Sequence, residues 1–301
     1  MVSFWWIIII IIMNAISFIL NGLVLFVLVR NKDLAKRKRI TYHVANIAIA
    51  DTLYGLGSFC FYIIELHPYE LRTEKLLPLI IMYSFGYLAS LAAVLLMTIE
   101  RSIVISKPLT WNKILPRKRM LLLMLCSWIA VAVTLLGVIY YFRGRIEYTG
   151  GQGVNSTLGQ VNSTLHTVFL FSTAAVNIYI FKNLKKNDGF VDSQQSTRSL
   201  PQATTQQKPI YLKQKASKLM LLLAGIMIVT CLPNSLLSTI NNTYAHKLHC
   251  NLGMNLTIIY VISILENLNF LVNPLVYIWK DRMYRNAFYR TFKIKTAHFK
   301  K

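Results

Sequence analysis

Asp51, Glu100, Arg101 and Glu266 stand inside long apolar stretches or at their ends, where a charge is out of place. Asp51 closes the run Asn46-Ile47-Ala48-Ile49-Ala50, and Glu266 interrupts Ile264-Leu265. An isolated carboxylate in such surroundings must find hydrogen-bond donors or a cation. Glu100 and Arg101 are adjacent and of opposite charge. Neutral polar groups recur in the same stretches: Asn21, Ser90, Asn269 and Asn273. Their plainest use is to hydrogen-bond one helix to another. Nothing here resembles enzyme chemistry, since no nucleophile–base constellation, metal motif or phosphate loop is found. The cysteines Cys60, Cys126, Cys231 and Cys250 lack metal-type spacing, and Cys126 and Cys231 read as small buried hydrophobes. His246, His249 and Cys250 cluster, which fits an ordinary polar loop better than a zinc site.

The elements that must carry these groups are long. The chain is 55% hydrophobic and 15% charged, and its apolar residues fall into seven runs, at about 4–29, 41–64, 77–105, 119–142, 165–184, 216–240 and 255–279. About 20 helical residues cross a hydrocarbon core of about 30 Å, so each run is long enough. The expected fold is an all-α membrane protein, a seven-transmembrane helix bundle forming one domain over residues 1–301. After Trp279, Tyr284, Phe288 and Phe292 recur every fourth residue among Arg282, Arg285, Arg290 and Lys293. That stripe predicts a short amphipathic C-terminal helix at about 281–293, lying on the inner membrane surface.

The net charge of +22 would suit nucleic acid, but its placement does not. Six Lys/Arg fall between Arg30 and Arg39, eight between Lys182 and Lys218, and eight from Lys280 onward. Lys107, Lys113, Arg117, Lys118 and Arg119 crowd a fourth segment. The alternate connections hold only Arg72, Lys75, Arg143, Arg145 and Lys247. This asymmetry places the N-terminus outside and the C-terminus in the cytosol, with the lipid bilayer and not nucleic acid as the partner. The first run has no basic stretch before it and is too long for a signal peptide. Four glycosylation sequons, at Asn155, Asn162, Asn241 and Asn255, lie in or beside loops that the charge rule puts outside. Residues 187–209, rich in Ser, Thr, Gln and Pro, read as a flexible cytosolic loop. Ser193, Ser196, Thr197, Ser199, Thr204 and Thr205 are phosphorylation candidates there.

Motifs in order along the chain carry a resemblance. They are Asn21-Gly22-Leu23-Val24, Asn46-Ile47-Ala48-Ile49-Ala50-Asp51, Glu100-Arg101-Ser102, Lys107-Pro108-Leu109, Trp128 and Asn273-Pro274-Leu275-Val276-Tyr277. Together they resemble the rhodopsin-like family of G-protein-coupled receptors. The resemblance implies a receptor for an extracellular ligand, a small molecule, lipid or short peptide, that signals to a heterotrimeric G protein, with arrestin and receptor kinases as further partners. It implies that Arg101 engages the G protein and that Glu100 restrains it at rest. Tyr179 and Tyr277 match tyrosines that swing inward on activation, and Pro233 and Pro274 permit helix kinks. Asp51, Ser90, Asn269 and Asn273 match a site for an allosteric sodium ion, whose preference is for oxygen ligands. No other cofactor is implied. The resemblance also places Tyr83, Tyr87, Asn234, Ser235, Glu266 and Asn267 around an outer ligand cavity.

This sequence departs from the family pattern in several places. Leu76 and the Cys-free loop 143–164 leave no usual outer disulfide, and the fifth run has no proline. Melanocortin, cannabinoid and lysophospholipid receptors share both absences, so the subfamily stays open. Cys231 replaces the toggle tryptophan. Lys213 stands where many relatives carry an acid that pairs with the arginine, which suggests basal activity. Tyr83 replaces the carboxylate of amine receptors, which argues against a biogenic amine bound in their manner, and Asn267 replaces the retinal-linking lysine of visual pigments, which argues against light sensing through a Schiff base. Two other readings remain: a transporter, which would favour repeated halves and several intramembrane charges, and a seven-helix binder that does not signal.

Overall fold

The computed structural model describes residues 2–31, 34, 38–66, 73–107, 110–143, 163–183, 221–239 and 256–293. Every long element in it is a helix. In chain order these are α1 (Val2–Arg30), α2 (Lys38–Glu65), α3 (Thr73–Ser106), α4 (Arg117–Arg143), α5 (Ser163–Asn183), α6 (Leu221–Thr239), α7 (Leu256–Lys280) and α8 (Arg282–Thr291). The first seven are long and apolar enough to cross a membrane. A single helical turn, Trp111–Ile114, sits between α3 and α4.

The helices form a ring around α3. Its inner face is almost wholly buried from Tyr87 to Met97, and it packs on α2, α4, α5 and α6. Two glycines set the α2–α3 distance. A Cβ at Gly86 would collide with the backbone nitrogen of Tyr54 and come within 2.9 Å of the Ala50 carbonyl oxygen. One at Gly57 would lie 2.8 Å from the backbone nitrogen of Tyr83. Small residues allow this approach, and dispersion and interhelical hydrogen bonds then hold it. The circuit closes through Thr167 on α5 and Thr239 on α6, whose hydroxyls are 3.2 Å apart. Asn234 on α6 meets Glu266 on α7, and α7 packs back on α1. Large apolar side chains such as Phe26, Leu122, Val133, Leu136, Phe171 and Val229 stay exposed around the outside. In a bilayer that belt is solvated by lipid chains.

Pro274 cannot donate to the carbonyl of Phe270, which the helix would otherwise leave unsatisfied. Asn21 on α1 fills the gap: its amide donates to the Phe270 oxygen at 3.0 Å and to the Ser17 carbonyl at 3.0 Å. Pro78 also lies within a helix, near the start of α3.

The last helix is shorter than its sequence pattern suggests. Asp281 is a cap and not a helical residue, because its carboxylate accepts the Met283 N–H at 2.8 Å. At the other end Phe292 and Lys293 leave the helix, Lys293 with a φ of 51°. The first two stripe residues face inward: Tyr284 and Ala287 are buried and Phe288 packs beside them, while Phe292 is exposed. Asn31 at the end of α1 donates to the Thr291 hydroxyl at 2.7 Å, tying α8 to α1.

Candidate functional site

Polar groups gather in three layers along the bundle; α3 contributes to each, and α7 to the first two. At one end is a cavity of about 240 Å³. All six residues expected there, Tyr83, Tyr87, Asn234, Ser235, Glu266 and Asn267, line it. They come together because α3 presents residues 83 and 87 one turn apart, while α6 and α7 each offer a consecutive pair. The Glu266 carboxylate is buried and accepts from the Asn234 amide at 2.5 Å. Asn267 is held by the Tyr54 hydroxyl at 3.2 Å and by the Ser263 carbonyl at 2.8 Å. His166 on α5 adds a wall that the sequence motifs did not indicate, its ring lying 3.9 Å from that of Tyr87. The His166 Nε2 and the Ser235 hydroxyl are buried without a hydrogen-bond partner. Cys231 sits beneath this layer, fully buried in one apolar cluster with Tyr87 and Phe270.

The middle layer centres on Asp51, which is fully buried. Ser90 donates to one carboxylate oxygen at 2.5 Å and Asn273 to the other at 2.9 Å. Asn269 is 1% exposed, and neither its amide nitrogen nor its oxygen has a partner. That orphaned oxygen, with the carboxylate, the serine hydroxyl and the second amide, makes a set of oxygen donors suited to a hard monovalent cation. Trp128 on α4 packs edge-on against Phe85 and donates to the Asn46 side chain at 2.7 Å, which fixes α4 to α2 near this level.

At the opposite end Glu100 is 1% exposed and accepts from three donors. One oxygen takes Arg39 at 3.2 Å. The other is shared by Arg101 at 3.2 Å and His43 at 2.5 Å. Arg39 also stacks 4.2 Å over the Trp111 ring and donates to Asn112 at 3.0 Å. The turn after α3 therefore holds one of the cations that neutralise Glu100. Arg101 is buried and makes its ion pair with Glu100. Tyr277, 1% exposed, leaves its hydroxyl without a partner and packs near Tyr284. Tyr179 is not brought into this cluster. It is half exposed, and its hydroxyl meets that of Ser106 at 3.0 Å.

The rest of the expected set divides simply. Pro233 and Pro274 lie within α6 and α7. Asn155, Asn162, Asn241, Asn255, Lys213, His246, His249 and Cys250 fall outside the described residues. His43, Arg39 and His166 were missed. A histidine inside an apolar run was the available signal for His43 and His166, while Arg39 looked like one more basic loop residue.

A family model for the 7 transmembrane receptor (rhodopsin family) matches residues 20–277. The chain belongs to that family. In this rhodopsin-family receptor the matched stretch starts one residue before Asn21 and ends on Tyr277, so it contains all three polar layers. A search of curated proteins finds no matching relative.

Proposed function

We propose that this receptor transmits an extracellular ligand signal to heterotrimeric G proteins through helix rearrangement. The observation that carries the reading is the shared use of α3 and α7. Both helices contribute to the cavity and to the Asp51 layer, and α3 continues from there to the Glu100–Arg101 pair. A ligand that binds one arrangement of these helices more tightly shifts the population towards it. Arg101, released from Glu100, is then the group offered to the G protein. The positive-inside rule puts the cavity outside and Arg101 in the cytosol of the plasma membrane. Arrestin and receptor kinases would act on the Ser/Thr-rich segment 187–209, and glycans would attach at Asn155, Asn162, Asn241 and Asn255. A sodium ion would be held by Asp51, Ser90, Asn269 and Asn273, adding electrostatic stabilisation to the resting arrangement.

One feature favours a second reading, a binder that does not signal: Cys231 fills the place of the toggle tryptophan. The buried Arg101–Glu100 pair speaks against it, since a pure binder needs no restrained arginine at the far end. The test is ligand-free nucleotide exchange on a panel of G proteins, in membranes holding wild type or Arg101→Ala at matched surface expression. Exchange that the substitution abolishes supports the receptor and identifies its G-protein class. Exchange of equal size in both sinks the role given to Arg101. No exchange in either removes basal activity from the reading.

A further inference from the structure

The cavity holds an acid without a basic partner: Glu266 lines it, and no lysine or arginine does so among the described residues. Asn234, which donates to it, is a neutral amide. An acid inside a membrane span is costly and is ordinarily paired or turned to function. The walls around it suit a cation. Aromatic rings line the cavity: Tyr54 and Tyr87 have centroids 5.7 Å apart, and Phe61 meets Tyr83 edge-on at 5.5 Å. Aromatic faces attract a desolvated cation. Two further groups ask for hydrogen bonds. The Ser235 hydroxyl is 1% exposed and the His166 Nε2 is buried; both line the cavity and neither has a partner.

We propose that the ligand of this cavity is a small organic monocation, a protonated amine or guanidinium, that also carries a hydroxyl or amide group. Its charge pairs with Glu266, and its neutral polar group meets Ser235 and His166. The acid lies on α7 while α3 offers Tyr83, so the cation enters from the α6–α7 side and not against α3. Fatty acids and other anionic lipids are excluded, because their headgroup would meet a carboxylate with no counter-charge. The cavity holds a whole small molecule or the basic end of a peptide; both present the same chemistry. This proposal rests on the receptor reading of the site.

Binding is measured as thermal stabilisation of the receptor in lipid nanodiscs without G protein. The probes are 4-hydroxybenzylguanidine with its neutral isostere 4-hydroxybenzylurea, 4-hydroxybenzylamine with 4-hydroxybenzyl alcohol, 4-hydroxyphenylacetate, and short peptides beginning or ending in arginine. Cationic probes should stabilise wild type, and the neutral and anionic ones should not. Glu266→Gln keeps an acceptor for Asn234 and should weaken cation binding by about tenfold to a hundredfold. Glu266→Asp should retain part of it. Ser235→Ala, which leaves the acid in place, should weaken hydroxylated cations more than plain ones, and it serves if Glu266→Gln does not fold. Binding by the small amines points to a free metabolite, and binding only by the peptides to a peptide terminus; either sustains the proposal. Equal stabilisation by charged and neutral members overturns it, as does unchanged binding in Glu266→Gln. So does the absence of any Glu266-dependent shift up to about 10 mM, a level that even fragment-sized ligands should reach. A cation that binds through Glu266 in a protein that shows no Arg101-dependent exchange, with or without the cation, keeps this site and sinks the receptor reading. Exchange that depends on Arg101, with no cation bound, does the reverse.

Discussion

Replacing Glu100 with glutamine should raise ligand-free signalling by an amount that the three-donor arrangement bounds. Arg39, His43 and Arg101 all donate to this carboxylate. Only Arg101 must leave it to meet a G protein, so only that bond differs between the resting and released arrangements. A hydrogen bond to a charged group contributes about 1.5–3 kcal/mol, and a neutral one about 0.5–1.5 kcal/mol. The glutamine oxygen still accepts, so the resting arrangement loses about 1–1.5 kcal/mol relative to the released one. At about 1.4 kcal/mol per factor of ten, the released population rises about fivefold to tenfold. Basal nucleotide exchange, at matched surface expression and on the G protein that responds to wild type, reads this directly. The same substitution weakens Arg39 and His43 in both arrangements, so some thermal stability is lost without changing the direction of the activity effect. Adding Arg101→Ala should abolish the gain. Basal exchange that stays level or falls in a well-expressed Glu100→Gln receptor would refute the restraint argued for Glu100.

Sodium chloride, compared with potassium chloride at equal ionic strength, should raise the melting temperature of wild type and lower its basal exchange. Asp51→Asn should lose both responses, and a sodium effect that survives it removes the cation from the Asp51 layer. Gly86→Ala forces a methyl against the Tyr54 backbone and should cost about 1–3 kcal/mol or more, read as lost surface expression. Gly22→Ala meets nothing within 4 Å and should be neutral or gain about 0.5–1 kcal/mol; equal behaviour of the two would contradict the close α2–α3 approach. Trp128→Phe keeps the edge contact with Phe85 but strands Asn46, so the melting temperature should fall by the equivalent of about 1 kcal/mol, and Asn46→Ala should add little to it.

How much of this was legible beforehand follows from the physics of each feature. The spans were readable because a bilayer demands unbroken apolar length, and α1 to α7 meet that demand wherever they are described. The six residues placed around the cavity came from the family resemblance and not from the pattern of polar residues, which marks none of them as neighbours across helices. The end of α8 was not, since Phe292 continues the aromatic stripe while its backbone has already left the helix. The clasp around Glu100 was equally hidden. Arg39 sits in a run of six basic residues, and nothing local distinguishes the one that stacks on Trp111. Its partner is 72 positions away, and only the packing of α2 against α3 brings the two together. The grip of Asn21 on Phe270 joins positions 249 apart, and its reason lies in a third residue, Pro274.

That grip has a consequence for how motion reaches the G-protein end. Phe270 lies on the cavity side of Pro274, and Asn273 and Tyr277 lie in or beyond the bend. By clamping the freed carbonyl, α1 would act as a stator for the cavity half of α7, although none of its described residues lines the cavity. The stretch beyond the proline is left to turn about a fixed pivot, as a crank turns on its bearing. Under the proposed mechanism, a displacement at Glu266 would reach Tyr277 as rotation, not as sliding of the whole rod.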